Sequence, residues 1–391
     1  MTAEGEDVVD LEILPTPGVA RLSVEDGLPA AMLSASHNPF HDNGIKFFAA
    51  GGIKLSDELE EALERELDRV LADARIADAP TGAGVGTVTR GLGARERYEA
   101  SVIASLEGRR LDGLKIVIDC AHGAAFAVAP SVLERVGADV TVLNARPNGT
   151  NINEGCGSTY LEGLQERVVA EGAQLGLAFD GDADRVLAVD HEGRIVDGDH
   201  LIAICALDRR ERGRLVGDTV VVTVMTNFGF RLAMAEQGIK VVETAVGDRA
   251  VLEALEQGGW SLGGEQSGHV VFRDLATTGD GLLTGLQVID VVARTGRSLA
   301  ELAGIMTQLP QVLRNVRVAN RDGLEAAEGL WADVRAEEAG LGERGRVLVR
   351  PSGTEPVVRV MVEAPTRDGA EAVAARLCDS VERALGAQEA P

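Results

Sequence analysis

Aromatic residues are scarce in this 391-residue chain, at 3%. Its cores must therefore be assembled from Val, Leu, Ile and Ala. Cysteine is scarce too. Cys120, Cys156, Cys205 and Cys378 are scattered and form no C-x-x-C pair. That pattern favours free thiols in a reducing compartment over a disulfide framework or a zinc site. Positive charge is short, with 38 Lys and Arg against 62 Asp and Glu, a net charge of −24. Such a surface repels nucleic acid and anionic membranes, so neither is expected as a partner. The chain has no apolar run of about 18 residues and opens on no charged-then-apolar leader. A cytoplasmic location is the expectation, and the sequon Asn148-Gly149-Thr150 then has no meaning. Basic groups that bind an anion on this chain must be local, so each Arg or Lys cluster is informative.

Three familiar motifs are missing. Gly82-Ala83-Gly84-Val85-Gly86-Thr87 has threonine where G-x-G-x-x-G needs its last glycine, and no clean strand precedes it. There is no Walker A sequence. Gly-x-Ser-x-Gly is absent as well, which argues against a serine-hydrolase elbow.

What is present reads as a multidomain α/β protein. Apolar strand-like runs alternate with helical patterns. The run 30–33 precedes a helix expected at 57–74, with Leu59, Leu63, Leu67 and Leu71 on one face and Ser56 and Asp57 as caps. Residues 76–93, rich in Gly and Ala, read as a linker. A second group has a helix near 94–107, strands at 115–119, 140–143 and 175–179, and a hairpin turning at Asp190-His191-Glu192-Gly193. A third has strands at 219–225 and 240–244 and helices near 230–236, 248–256 and 281–294. A smaller last group has strands at 346–350 and 357–363, then a helix carrying Val373, Leu377, Val381 and Leu385 on one face. The division expected is 1–92, 93–193, 194–307 and 308–391.

Four loops carry chemistry. In Ser34-Ala35-Ser36-His37-Asn38-Pro39-Phe40-His41-Asp42-Asn43-Gly44-Ile45-Lys46, a strand delivers a serine with His37 and Lys46 near it. Such a serine can act as nucleophile or phosphoryl carrier; an Asn-Pro and Asn-Gly turn is the plainer reading. In Asp180-Gly181-Asp182-Ala183-Asp184-Arg185, three carboxylates at alternate positions can converge on a hard cation such as Mg²⁺, Mn²⁺ or Ca²⁺. An EF-hand is excluded, because Arg185 and His191 stand where its glycine and glutamate belong. Gly263-Gly264-Glu265-Gln266-Ser267-Gly268-His269 offers mixed donors and acceptors suited to sugar hydroxyls, although a ligand-free polar loop fits the same spacing. Arg350-Pro351-Ser352-Gly353-Thr354-Glu355-Pro356-Val357-Val358-Arg359 sets hydroxyls and amides between arginines, the groups that hold phosphate; a hairpin turn is its plainer reading.

In this order, the four loops resemble the α-D-phosphohexomutase superfamily, and SASHNPFHDNGIKFF, GEQSGH, TTGDGLLTGLQ and RPSGTEPVVRVMVEA resemble its bacterial phosphoglucosamine mutase branch. The likeness runs from Leu14-Pro15-Thr16-Pro17-Gly18 to the last helix. It implies a four-domain enzyme, three similar α/β domains with mixed sheets plus a smaller C-terminal α+β domain, with one Mg²⁺. It implies interconversion of glucosamine 6-phosphate and glucosamine 1-phosphate, towards UDP-N-acetylglucosamine and peptidoglycan, through glucosamine 1,6-bisphosphate. Ser36 matches the phosphoryl-carrying serine, and Asp180, Asp182 and Asp184 match the metal ligands, completed by the phosphoserine. Arg185 matches a residue touching that phosphate; His37 and Lys46 match residues assisting proton transfer. Gly247, Asp248 and Arg249 match a loop reading sugar orientation, and Glu265, Ser267 and His269 match the sugar-binding loop. Arg350, Ser352, Gly353, Thr354 and Arg359 match the clamp for the second phosphate. The partner implied is a phosphorylated amino sugar, with a homodimer as the assembly to be tested.

The family's FGTDGIRG-like and GRDTR-like opening loops have no counterpart here. Tyr160 replaces a histidine common after GCGST. The expectation is a first domain without its opening strands and with exposed sheet edges. The alternatives to weigh are a phosphoglucomutase or phosphomannomutase, and an inactive sugar-phosphate-binding protein.

Overall fold

The computed structural model describes residues 1–73, 80–352 and 357–386. It divides into two compact units. One holds Met1–Met225 with Gly238–Ile305, and the other holds Thr226–Gln237 with the chain from Met306 onward.

The larger unit begins with β1 (Val8–Asp10), α1 (Thr16–Asp26), β2 (Ala30–Ser34), β3 (Gly44–Ala49), β4 (Ile53–Lys54), α2 (Asp57–Asp73) and β5 (Val88–Arg90). β2, β3 and β4 form an antiparallel sheet with Ser34 opposite Gly44. That register sets the serine loop at the end of a hairpin. β1 and β5 form a separate parallel pair. β5 lies within the stretch expected to be linker; residues 76–79 of that stretch are outside the described residues. α2 starts where Ser56 Oγ accepts from the Leu59 amide at 3.4 Å. Its leucine face is not core: Leu59, Leu63, Leu67 and Leu71 are 42–70% exposed. Helical spacing aligned these leucines, but no described element covers them.

Next come α3 (Ala94–Ala104), β6 (Lys115–Asp119), α4 (Ala125–Arg135), β7 (Asp139–Leu143), α5 (Glu162–Glu171), β8 (Leu175–Phe179), β9 (Val186–Asp190) and β10 (Ile195–Val196). Their sheet runs β10-β9-β8-β6-β7, with β6 parallel to β7 and β8. β8 is buried along its whole length, as expected for a strand covered on both faces. The acidic triplet follows its C-terminal end, where open α/β sheets place their ligands.

The chain continues as α6 (Gly198–Glu211), β11 (Thr219–Thr223), α7 (Phe228–Glu236), β12 (Lys240–Thr244), α8 (Asp248–Gly258), β13 (Leu262–Gly264), β14 (Val270–Phe272), α9 (Gly281–Thr295) and α10 (Leu299–Ala303). The sheet order is β12-β11-β13-β14, with only β14 antiparallel. The β13–β14 hairpin carries the expected sugar loop.

The smaller unit combines α7 with β15 (Gln311–Arg317), α11 (Glu328–Leu341), β16 (Arg346–Pro351), β17 (Val357–Glu363) and α12 (Arg367–Leu385). Its antiparallel sheet runs β15-β17-β16. Sequence reading anticipated two strands and one helix here. β15 gives a weak signal because Val312 and Val316 are buried while Leu313 is 47% exposed. Val373, Leu377, Val381 and Leu385 of α12 do enter the core of this unit. α7 is tied in by Glu363, which is fully buried. Its carboxylate accepts from Arg346 Nε at 2.8 Å, Gln311 Nε2 at 2.9 Å, the Phe228 amide at 3.0 Å and Asn227 Nδ2 at 3.1 Å. Glu363→Ala strands Arg346 without its counter-charge and is expected to cost about 3–5 kcal/mol in denaturant unfolding. A loss below about 1 kcal/mol, the size of one ordinary net hydrogen bond, would contradict this.

Candidate active site

Ser36 sits in a left-handed backbone conformation (φ +50°) that non-glycine residues seldom adopt. The conformation is held from outside the loop. The Ser36 carbonyl accepts from the Gly181 amide at 3.0 Å and from Asn153 Nδ2 at 2.8 Å. Asn153 Nδ2 also donates to the Asn38 carbonyl at 2.8 Å. Residue 181 must be glycine here, because a Cβ would lie 2.4 Å from the Ser36 carbonyl oxygen. The serine loop and the acidic loop are thus fastened backbone to backbone. Ser36 Oγ is 3.3 Å from Asp180 Oδ2 and 3.4 Å from His37 Nδ1, and Arg185 Nη1 is 3.2 Å from that same nitrogen.

Asp180, Asp182 and Asp184 are all buried. One carboxylate oxygen from each lies within 4.8 Å of the others. Lys46 Nζ donates to Asp182 Oδ2 at 2.6 Å and to Asp184 Oδ2 at 2.9 Å. Thr16 Oγ1 donates to Asp182 Oδ2 at 2.6 Å. Asp182 Oδ1 and Asp184 Oδ1 are buried with no hydrogen-bond partner among the described residues. Converging buried carboxylates with unpaired oxygens suit a hard divalent cation.

The electrostatics agree. Burial, then the charges of Asp184 and Asp182, push the Asp180 carboxyl well above its ordinary value. Burial would also raise Asp184, but Lys46, His269, Lys54 and Arg185 together outweigh it and hold Asp184 low. Burial pulls the Lys46 ammonium down, yet Asp184 and Asp182 more than offset this and keep it charged. Burial and then Arg185 lower His37, which favours the neutral ring.

The expected sugar loops adjoin this cluster within the same unit. Glu265 Oε1 accepts from the Gly247 amide at 3.1 Å. Asp248 accepts from Lys54 Nζ, and Arg249 Nη2 pairs with Glu60 Oε2 at 2.9 Å. Ser267 is exposed, but His269 is 1% exposed. Its ring packs so closely on Gly279 that a Cβ there would lie 2.4 Å from Nε2. Its Nε2 is 3.8 Å from Asp248 Oδ2, and both ring nitrogens are buried without a hydrogen-bond partner among the described residues.

In the smaller unit, Arg350 and Arg359 face each other across β16 and β17. Burial and then the Arg359 charge lower Arg350. Like charges directly opposed across strands are unfavourable, and a bound anion would relieve them. Ser352 is buried, its amide donating to the Val357 carbonyl at 2.9 Å and its carbonyl accepting from Arg321 Nη1 at 3.0 Å. Gly353 and Thr354 lie outside the described residues.

Sequence reading gave no role to Thr16 or Asn153. Thr16 falls in the Leu14–Gly18 stretch, where its residue type carries no spacing signature. Asn153 is one polar residue in a polar loop. Thr16→Val removes a hydrogen bond to Asp182 while keeping its shape, and is expected to weaken Mg²⁺ binding about 10–100-fold by calorimetric titration. Thr16→Ser should restore it, and a Thr16→Val affinity within twofold of wild type would sink the role.

The chain is also similar to known proteins. Models of the phosphoglucomutase/phosphomannomutase family match in sequence: alpha/beta/alpha domain I at residues 1–73, domain II at 96–193, domain III at 197–309 and the C-terminal domain at 313–380. The fold and site thus define a phosphohexomutase, of α/β architecture with a small C-terminal domain. The phosphoglucosamine mutases of Thermobifida fusca (strain YX) and Rhodococcus opacus (strain B4) are each 54% identical over 97% of this chain, which spans 84% and 85% of their lengths. The chain belongs to the phosphoglucosamine mutase family and is an isomerase. Solved structures show the same fold. A phosphoglucomutase/phosphomannomutase family protein from Burkholderia thailandensis has a TM-score of 0.79 at 24% identity, covering 99% of this chain and 85% of that one. The Aspergillus fumigatus N-acetylphosphoglucosamine mutase in complex with GlcNAc-6P and magnesium has a TM-score of 0.70 at 20% identity, covering 94% and 92%.

Proposed function

We propose that this chain interconverts glucosamine 6-phosphate and glucosamine 1-phosphate, with Ser36 as phosphoryl carrier and glucosamine 1,6-bisphosphate as intermediate. The product would supply UDP-N-acetylglucosamine and cell-wall synthesis in the cytoplasm. The observation that carries the reading is Ser36 Oγ at 3.3 Å from Asp180 inside a buried three-carboxylate cluster. A phosphate on Oγ would lie beside the site proposed for one Mg²⁺, with Asp180, Asp182 and Asp184 as its protein ligands. When bound, the cation would draw charge from the phosphoryl group and make phosphorus more electrophilic.

In the proposed reaction, a sugar hydroxyl oxygen attacks the phosphorus on Ser36. The phosphorus–Oγ bond breaks, and the hydroxyl proton passes to a nearby base. Of the two candidates, Lys46 is held as an ammonium and serves as a cation, while the neutral His37 ring can accept the proton. The bisphosphate then donates its other phosphate to Ser36 and the proton returns. Arg185 is assigned to the transferring phosphate. Gly247, Asp248, Arg249, Glu265, Ser267 and His269 are assigned to the sugar. Arg350, Ser352, Gly353, Thr354 and Arg359 are assigned to the phosphate not in transfer. The working division into domains is 1–92, 93–193, 194–307 and 308–391.

Turnover of glucosamine, glucose and mannose phosphates by the purified chain, primed with a hexose 1,6-bisphosphate, tests the reading. Glucosamine phosphate should react fastest. Faster turnover of glucose 1-phosphate would overturn the substrate assignment.

A further inference from the structure

A cavity of about 390 Å³ lies in the larger unit, bordered by α1, α3 and the segment between β14 and α9. Its size falls within the range of small-molecule sites, ~300–1,000 Å³. None of the residues assigned to the reaction lines it.

The lining carries two arginines and two aspartates. Its carboxylates are already engaged within the protein. Asp274 Oδ2 accepts from Arg209 Nη2 at 2.7 Å, and Asp280 Oδ1 accepts from the Tyr98 hydroxyl at 3.0 Å and the Leu283 amide at 2.9 Å. Of the lining cations, Arg273 meets Glu256 only at 3.9 Å, and Arg21 Nε donates to Glu25 Oε1 at 2.7 Å in a half-exposed pair one helical turn away. Such surface pairs are weak and exchange readily. Thr278 also borders the cavity; it is 1% exposed, and its Oγ1 has no hydrogen-bond partner among the described residues. A buried hydroxyl left unpaired is costly, and a ligand acceptor would relieve it. The remaining wall is partly apolar, with Val24, Val102 and Leu275.

From these features we infer that the cavity is a binding site, separate from the active site, for a small anion with an apolar body. The anionic group would meet Arg21 and Arg273, Thr278 Oγ1 would donate to a ligand acceptor, and the body would lie on the apolar wall. The occupant would touch segments that brace the acidic loop. Pro17, in the lining, follows Thr16, which bonds Asp182; Gly281, just beyond Thr278, donates its amide to the Ala183 carbonyl at 3.0 Å.

The test uses 8-anilinonaphthalene-1-sulfonate, an anion on an apolar ring system, titrated by fluorescence into the full chain. Three variants, checked for folding by circular dichroism, are compared with wild type. Arg21→Ala with Arg273→Ala removes the cations. Ala104→Trp fills the cavity from an exposed helix position without disturbing the core. Leu63→Glu with Leu67→Glu alters the exposed α2 face, the competing apolar surface. Saturable binding that weakens at least fivefold in both cavity variants and is unchanged in the α2 variant is the expected result. Affinity unchanged by the folded cavity variants, or lost in the α2 variant, would overturn the assignment.

Discussion

Ser36→Ala is expected to lower mutase turnover at least ~10⁴-fold, the scale seen when a covalent catalyst loses its nucleophile. The reason is structural as well as chemical. Ser36 Oγ donates to Asp180 Oδ2 at 3.3 Å. The bonds that fix the loop to Gly181 and Asn153 use the Ser36 carbonyl. Alanine therefore deletes the proposed carrier while leaving the loop tethered. Intact-mass measurement gives a second readout. Wild-type protein primed with a hexose bisphosphate should gain one phosphate, mapped to the peptide containing Ser36, and the variant should gain none. Phosphate retained by the variant would mean that another residue carries it.

Asp182→Asn should cut turnover about 10²–10³-fold and raise the Mg²⁺ concentration needed for half-maximal rate. Asp182 ties the cluster to both α1 and β3. One oxygen accepts from both Thr16 and Lys46, and the other is buried without a partner. The asparagine variant loses the charge that attracts the cation and offers it a weaker oxygen. Metal titration and steady-state rates on one preparation separate the two effects. An unchanged rate at saturating Mg²⁺ would remove Asp182 from the catalytic cluster, and an unchanged Mg²⁺ requirement would remove it from the metal site.

Much of this chain was legible before folding. β8 and the triplet after it could be read because an apolar run followed by alternating aspartates needs no distant partner to be recognised. β17 and α12 were legible for the same local reason, one through its alternating strand pattern and the other through Val373, Leu377, Val381 and Leu385 at helical spacing. β15 was not, because only Val312 and Val316 are buried and the strand depends on pairing with β17. The α2 leucines show the opposite failure. Their periodicity correctly gave a helix, but periodicity says nothing about whether another element will cover the face.

The site divides along the same line. Residue type and spacing alone marked Ser36, the three aspartates and the Arg350–Arg359 turn as chemical groups. Only the tertiary structure set Ser36 Oγ beside Asp180, 144 positions away. It likewise brought Thr16 and Lys46 to Asp182 and buried His269 near Asp248. The reason is range. A strand, a turn or a cluster of like charges is fixed by neighbours a few residues apart, so the sequence by itself determined the parts. Hydrogen bonds between distant segments and the burial that shifts a carboxyl depend on contacts more than a hundred positions apart, and those existed only once the chain had folded.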